Sequence, residues 1–357
     1  MFDNLDVVGM LASTWDLIIG KKEPEQIISE PEQEKEEEFF LKVHPQKKFN
    51  YRPQNLKEYI GQEPAKSLIR LLIKEILEIG KYRHILISGT MGHGKTTLAF
   101  VLAKQLGFEI NYFIARAFTR ENLRVFLHKN QASKIPQILM LDEIHGLGKS
   151  KIDPVDFEYF YPILEDMQLP NSDIDLKPFI VMGATTELDY LQKNYPPFVG
   201  RFVNLQLEPY NANDIKLILK EYNKQVYQKD ISEEDFDLLS RNARYNPRTA
   251  RLLFDLFIAS GSVDEVLKCN RIIKNGLTTQ DIRILEHLVE VKGVVGCETL
   301  AIIGYTDTET YKTLIEPYLI QEGLITKRPR GREATNKARQ LLLQEINQKE
   351  TQNGRRK

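Results

Sequence analysis

The sequence predicts an α/β protein: a parallel sheet with helices on both faces, then a helical segment, then a smaller unit of helices closed by a strand pair. Two observations carry this reading. Short apolar runs at 85–88, 111–114, 138–141 and 179–184 alternate with stretches of helical periodicity, as strands buried on both faces require. The first run leads into Gly89-Thr90-Met91-Gly92-His93-Gly94-Lys95-Thr96, a G-x-x-x-x-G-K-T loop, and that loop leads into the apolar helical stretch Leu98-Ala99-Phe100-Val101-Leu102-Ala103. A chain of 357 residues also exceeds what a single core organises, so two or three domains are expected.

The chain begins differently. Leu5, Val8, Ala12, Trp15 and Ile19 fall at roughly helical spacing, and an acidic run from Glu23 to Glu38, broken by Pro24 and Pro31, follows. Residues 1–48 are read as an N-terminal extension, an amphipathic segment on an acidic linker, which docks a partner, packs on its own protein or is a frayed tail. Asp3, Asp6 and Asp16 interrupt the apolar pattern, so neither a signal peptide nor a membrane span is expected. The two cysteines, Cys269 and Cys297, have no C-x-x-C spacing; this excludes a disulfide framework and a cysteine zinc site and fits a reducing cytoplasm. Lys and Arg total 49 against 50 Asp and Glu, so net charge points to no partner, but acid lies early and base late.

Residues 49–208 form the expected large domain. Gly89, Gly92 and Gly94 let the loop backbone close a nest of N–H donors, and the helix begun at Lys95 aims its positive dipole end at bound phosphates. Lys95 would reach the terminal phosphates, and the Thr96 hydroxyl would complete a magnesium shell. The apolar strand Ile138-Leu139-Met140-Leu141 ends in Asp142-Glu143: Asp142 to hold magnesium through water, Glu143 to polarise the water that attacks the terminal phosphate. The next strand ends in Thr185-Thr186, either of which could sense the γ-phosphate or fix that water. Arg201 follows the Pro196-Pro197 turn, and Arg248, after Asn246-Pro247, opens a helix in the helical segment 209–276.

The order of these elements resembles an ATPase of the AAA+ superfamily. In that superfamily the arginine matching Arg201 acts in trans on a neighbour's ATP and the one matching Arg248 acts in cis, which implies a homo-oligomer, expected as a hexameric ring. The resemblance narrows at Tyr51-Arg52-Pro53, Glu58-Tyr59-Ile60-Gly61-Gln62, Asp142-Glu143-Ile144-His145, Tyr161-Pro162 with Glu165-Asp166, and Gly183-Ala184-Thr185-Thr186. These are similar to the RuvB family, the bacterial Holliday-junction branch-migration motors. The C-terminal stretches Glu316 to Gly323 and Arg328 to Thr335 are similar to that family's winged-helix domain, so the resemblance covers about residues 51–343. It implies ATP and Mg2+ as ligands, with Arg52, Pro53, Tyr59, Ile60, Gly89, Gly92, Gly94, Lys95, Thr96, Thr97 and Arg248 around the nucleotide.

The departures are specific. Thr90, Met91 and His93 replace the family's prolines and leucine in the phosphate loop, and His93 is expected as a loop surface residue. Between Gln168 and Phe179 a short segment stands where the family carries a hairpin that docks its partner RuvA, and Val199 stands where the family has an additional arginine. The shortening argues against a RuvA-like partner and favours recruitment by another protein through residues 1–20.

Residues 277–345 read as the winged helix, with helices at 281–292, 297–303 and 307–319 and a strand at Leu324-Ile325-Thr326 entering a basic turn. Lys327, Arg328, Arg330 and Arg332 cluster there around Pro329 and Gly331, a wing suited to the phosphate backbone of double-stranded or four-way-junction DNA without base readout. Residues 346–357 form a basic tail. The function expected is an ATP-driven DNA motor; an ATP-gated loader of another DNA-processing protein and a winged-helix regulator with a vestigial ATPase are the alternatives.

Overall fold

The structure, a computed structural model, describes residues 51–169 and 176–344. The N-terminal extension, the basic tail and part of the shortened connection after Gln168 lie outside the described residues. Helix α1 (Glu63–Ile79) leads to β1 (Ile85–Ser88), α2 (Lys95–Leu106), β2 (Glu109–Ile114), α3 (Arg120–Ala132), β3 (Gln137–Asp142), α4 (Tyr161–Asp166), β4 (Ile180–Thr185), α5 (Leu188–Asn194) and β5 (Val203–Gln206). The five strands are parallel in the order β2-β3-β4-β1-β5, so the predicted class holds. Every residue of β1 and β4, and all of β3 except Asp142, is buried, which is why their sequences are apolar except at their ends, Ser88, Gln137 and Thr185. Sequence reasoning missed β5: it is a short edge strand, Val-Asn-Leu-Gln, with only Leu205 buried.

Register brings the functional segments together. Ser88 at the end of β1 pairs with Thr185 at the end of β4, and Ile114 at the end of β2 pairs with Asp142 at the end of β3. The loops after β1, β3 and β4 therefore open on the carboxyl edge of one sheet, where ligands bind in open α/β folds. Ile69, Leu98 and Leu102 pack on one face against Ile87, Met140 and Met182. Aromatics fill the other face, Phe126 lying edge-on to Phe179 with ring centroids 4.9 Å apart.

Helices α6 (Ala212–Val226), α7 (Glu233–Asn242), α8 (Pro247–Ser260) and α9 (Val263–Cys269) form a lid with its own core around Tyr222, Leu239 and Phe254. Each begins where a side chain accepts a backbone N–H of the first turn: Asn211, Ser232, Asn246 and Ser262. The hairpin β6 (Ile272–Lys274) and β7 (Leu277–Thr278) leads to α10 (Thr279–Val291), started by a Thr278–Asp281 capping box, and α11 (Cys297–Ile303). A third helical stretch runs through Thr308–Thr310, a π-helical turn Tyr311–Ile315 and Glu316–Gln321, together α12. Pro317 has no N–H to continue the regular ladder, which accounts for the widened turn before it. Strands β8 (Ile325–Arg328) and β9 (Gly331–Ala334) form the wing, and residues 336–344 are helical. Ile284, Leu288, Leu300, Leu319 and Leu324 are in this unit's core.

Candidate nucleotide site and DNA-facing wing

The loop after β1 needs its glycines. Gly92 and Gly94 have φ of +84° and +90°, and a Cβ on them would lie 2.4 Å from the Asn246 Oδ1 and 2.8 Å from the Tyr59 hydroxyl. Gly94 is also the N-cap of α2, so the first-turn N–H groups of that helix face the loop. Lys95 is 6% exposed, and its ammonium donates to the loop carbonyls of Gly89 at 2.8 Å and Thr90 at 3.2 Å. Burial lowers its pKa, opposed by Glu143 and Asp142 and assisted by Arg248. A buried ammonium with carbonyl partners alone, inside a glycine nest, fits a polyphosphate.

The pair expected to hold the metal, Thr96 and Asp142, is assembled across strands. The Thr96 hydroxyl donates to Asp142 Oδ2 at 3.1 Å, and the Tyr112 hydroxyl, from β2, donates to the same oxygen at 2.7 Å. Burial, reinforced by Asp142, pushes the Tyr112 phenol up to about 12, so it remains a donor. Glu143 takes a left-handed φ of +49°, turning its side chain out of the strand line. Its Oε2 accepts from the Thr186 hydroxyl at 3.3 Å and lies 3.4 Å from His145 Nδ1. His145 also contacts Thr185 Oγ1 at 3.0 Å and Glu187 Oε1 at 3.2 Å. The two threonines are thus distinguished: Thr185 is fully buried beneath His145, whereas Thr186 is exposed and reaches Glu143.

A cavity between the large domain and the lid is lined by Pro53, Tyr59, Ile60, Thr97, Tyr222 and Pro247, among others, a mainly apolar slot beside the loop of the kind that suits a nucleotide's base and sugar. Arg52 instead stacks over the Phe100 ring at 4.4 Å. The lid touches the loop directly: Asn246 Nδ2 donates to the Met91 carbonyl at 2.8 Å, and the Tyr210 hydroxyl donates to the His93 carbonyl at 3.4 Å. His93 corrects an expectation. It is only 5% exposed, its ring set edge-on to Tyr210 at 5.8 Å, and burial together with Lys95 lowers its pKa to about 4. The loop folds under the lid's first segment, so a polar residue in it is covered.

Arg248 stands at the start of α8, its N–H donating to Asn246 Oδ1 at 2.9 Å and its side chain exposed. Arg201 is engaged elsewhere: its guanidinium contacts Glu165 at 2.5 Å and the Pro197 carbonyl at 2.6 Å, 4.5 Å above the Tyr161 ring. Tyr112, Asn246, Tyr210 and Glu187 were missed in the sequence. Asn246 carried a readable signal, an N-cap residue before a helix-opening proline; Tyr112 carried none, because its partner lies on the neighbouring strand.

At the wing, Lys327 and Arg328 are 68% and 53% exposed, and Arg330 is exposed. Arg332 is a correction: it is 11% exposed and pairs with the buried Glu316 of α12 at 2.6 and 2.9 Å, so it fastens the wing to the helix and presents no free charge to DNA. Its backbone explains the placement, bonding Val295 in both directions at 2.8 and 2.9 Å, which turns the side chain inward.

A five-stranded parallel sheet with a phosphate loop, an Asp-Glu strand end, a helical lid and a winged helix defines a AAA+ ATPase with a DNA-binding appendage. The profile described as the Holliday junction DNA helicase RuvB P-loop domain matches residues 51–206, and that of the RuvB C-terminal winged helix domain matches 274–343. The chain belongs to the RuvB family. It is 34% identical over 317 residues to the Holliday junction branch migration complex subunit RuvB of Pseudothermotoga lettingae, covering 82% of this chain and 89% of that one. It is 32% identical to a Synechococcus RuvB subunit, covering 91% and 97%. The solved Thermotoga maritima RuvB Holliday junction branch migration motor superposes with a TM-score of 0.68 at 29% identity, over 82% of this chain and 97% of that one.

Proposed function

We propose that the chain is an ATP-hydrolysing motor that moves Holliday junctions or duplex DNA in recombination and repair. The observation that carries the reading is one sheet edge bearing Lys95, Thr96, Asp142 and Glu143 in a chain that ends in an exposed basic wing. ATP with magnesium supplies the phosphoanhydride whose hydrolysis drives movement. Lys95 and the loop N–H groups would hold the phosphates, Thr96 and Asp142 the metal, and Glu143 would orient the attacking water. Thr186 is the better supported partner for Glu143, since its hydroxyl already meets that carboxylate. Arg248 would act in cis and Arg201, freed from Glu165, in trans on a neighbouring copy, so hydrolysis depends on a homo-oligomeric ring.

Lid rotation has a route to the wing. Arg244 of the lid bonds the Gly276 carbonyl at 2.7 Å and pairs with the buried Asp281 of α10, while Tyr245 bonds Glu322 at 2.5 Å. A change at Asn246 or Arg248 therefore moves the DNA-facing unit with the lid. Lys327, Arg328 and Arg330 would meet the phosphate backbone. No helix among the described residues is long and apolar enough to cross a membrane.

A loader reading is favoured by one feature: the Leu176 N–H bonds the Met167 carbonyl at 2.8 Å, closing the segment where a partner-docking hairpin would stand. Lys95→Ala should abolish nucleotide binding, and Glu143→Gln should bind ATP but lose at least about a hundredfold in turnover. Undiminished ATPase activity in both variants would sink the assignment. A synthetic four-way junction separates the two readings: a motor migrates the branch, whereas a loader binds it and moves nothing.

A further inference from the structure

We infer that two adjoining loops of the large domain, 115–120 and 146–156, form a second contact surface for the phosphodiester backbone of duplex DNA, separate from the wing. The inference rests on the DNA-motor reading and extends it to a surface next to the hydrolytic centre. The loops leave the carboxyl ends of β2 and β3 side by side. A Cβ on Gly146 would lie 3.2 Å from Arg116 Cβ, Thr119 and Pro154 form an antiparallel bridge, and the Arg120 N–H donates to the Asp153 carbonyl at 3.0 Å. The second loop also closes on itself, since Gly148 at φ +79° would place a Cβ 3.6 Å from Asp156 Cα.

Its charges are not self-neutralised. Arg120 pairs with Asp153 at 3.5 Å, Arg124 pairs with Glu121 at 3.5 Å, and Asp156 accepts the Tyr159 N–H at 2.8 Å. Arg116, Lys149 and Lys151 are exposed, and no carboxylate pairs with them among the described residues; the one contact recorded for their charged groups is Lys149 lying 5.9 Å from the Tyr190 ring. Between the lysines and Asp153 sits Ile152, 76% exposed, so the loop tip is held out into solvent.

The chemistry selects the occupant. Neither loop contains Asn or Gln, the side chains that read adenine edges, and neither loop tip carries an exposed aromatic platform for unstacked bases. Unpaired cations on a constrained loop suit a repeating phosphate backbone. The surface is also wired to the reaction. Gly146 N–H bonds the Glu143 carbonyl at 2.8 Å, Leu147 N–H bonds Ile144 at 3.0 Å and Lys149 N–H bonds Gly146 at 3.2 Å, an unbroken turn from the hydrolytic carboxylate to the first lysine. DNA seated on Lys149 and Lys151 would fix that turn and with it the backbone of Glu143.

The test uses the full chain carrying Lys149→Ala and Lys151→Ala together, with Lys149→Arg and Lys151→Arg as the charge-retaining control. Duplex binding is measured against salt, and ATP turnover with and without duplex. Loss of two phosphate contacts should reduce the slope of log affinity against log salt by about 2, and duplex-stimulated turnover should fall several-fold. Turnover without DNA should hold, and the arginine pair should restore both quantities. A variant that keeps the wild-type slope and stimulation overturns the loop surface alone. A wild-type protein that binds no duplex at any salt overturns the DNA-motor reading as well.

Discussion

The nucleotide end and the wing are both built on charged side chains, yet they obey different rules. Around the phosphate loop Lys95, Asp142 and Glu143 are buried or half-buried and each answers to a named neighbour: Lys95 to two carbonyls, Asp142 to Thr96 and Tyr112, Glu143 to Thr186. At the wing, four basic residues lie within six positions, and they divide between solvent and core. A fixed spacing such as G-x-x-x-x-G-K-T encodes a backbone shape, and the shape dictates where each side chain goes. A cluster of basic residues encodes only composition, and strand alternation decides afterwards which member faces outward.

Arg332 breaks the apparent equivalence of the wing arginines most strongly. Arg332→Ala leaves Glu316, 4% exposed, without its main partner and should cost about 3 kcal/mol of stability, the usual price of stranding one half of a buried ion pair. Chemical denaturation measures it directly. Arg330→Ala should leave stability within about 0.5 kcal/mol and reduce the salt slope of DNA binding by about 1. Equal effects of the two substitutions on stability would mean that the wing arginines are interchangeable after all.

The same contrast bounds what was legible in the sequence. The sheet class and strands β1, β3 and β4 were readable because burial on both faces leaves them mostly apolar up to the functional end, whereas β5 at one edge mixes Asn204 and Gln206 into its pattern; β2, at the other edge, was read from the run 111–114 although none of its residues is fully buried. Lys95, Thr96, Asp142 and Glu143 were singled out by spacing, and the fold brings them to one sheet edge. His93 was misplaced and Tyr112 overlooked because their environments come from segments distant in sequence, Tyr210 and Asp142, for which no local rule exists.

Acid should attack the large domain before the wing unit. His84, whose Nδ1 accepts the Val181 N–H at 3.0 Å, and His93 both have pKa values lowered from 6.5 to about 4 by burial. In the unfolded chain each binds a proton near its ordinary value, so between pH 6.5 and 4 the unfolded state carries more protons. Their contribution is intact above pH 6.5 and is lost as pH falls toward 4, by about 3 kcal/mol for each histidine. A His93→Asn variant should show a smaller drop in Tm between pH 7.5 and 5 than the parent. An equal drop would mean that His93 is protonated without cost in the folded loop.

The smallest expected effect isolates the cross-strand hydrogen bond at the metal pair. Tyr112→Phe removes one donor to Asp142 Oδ2 while keeping the ring stacked near Phe100, 6.2 Å away, so packing is conserved and one charge-assisted bond is lost. Such a bond contributes about 1.5 kcal/mol, or roughly tenfold in a binding constant. Asp142 retains Thr96, which would itself turn to the metal, so Tyr112 is the residue that keeps the carboxylate aimed once the hydroxyl has left. The variant should therefore need roughly tenfold more magnesium for half-maximal ATP turnover, with metal-free nucleotide affinity unchanged. A shift in metal-free affinity would show instead that Tyr112 acts on the loop as a whole, and the division between individually answered charges at this end and composition-driven charges at the wing would lose its sharpest case.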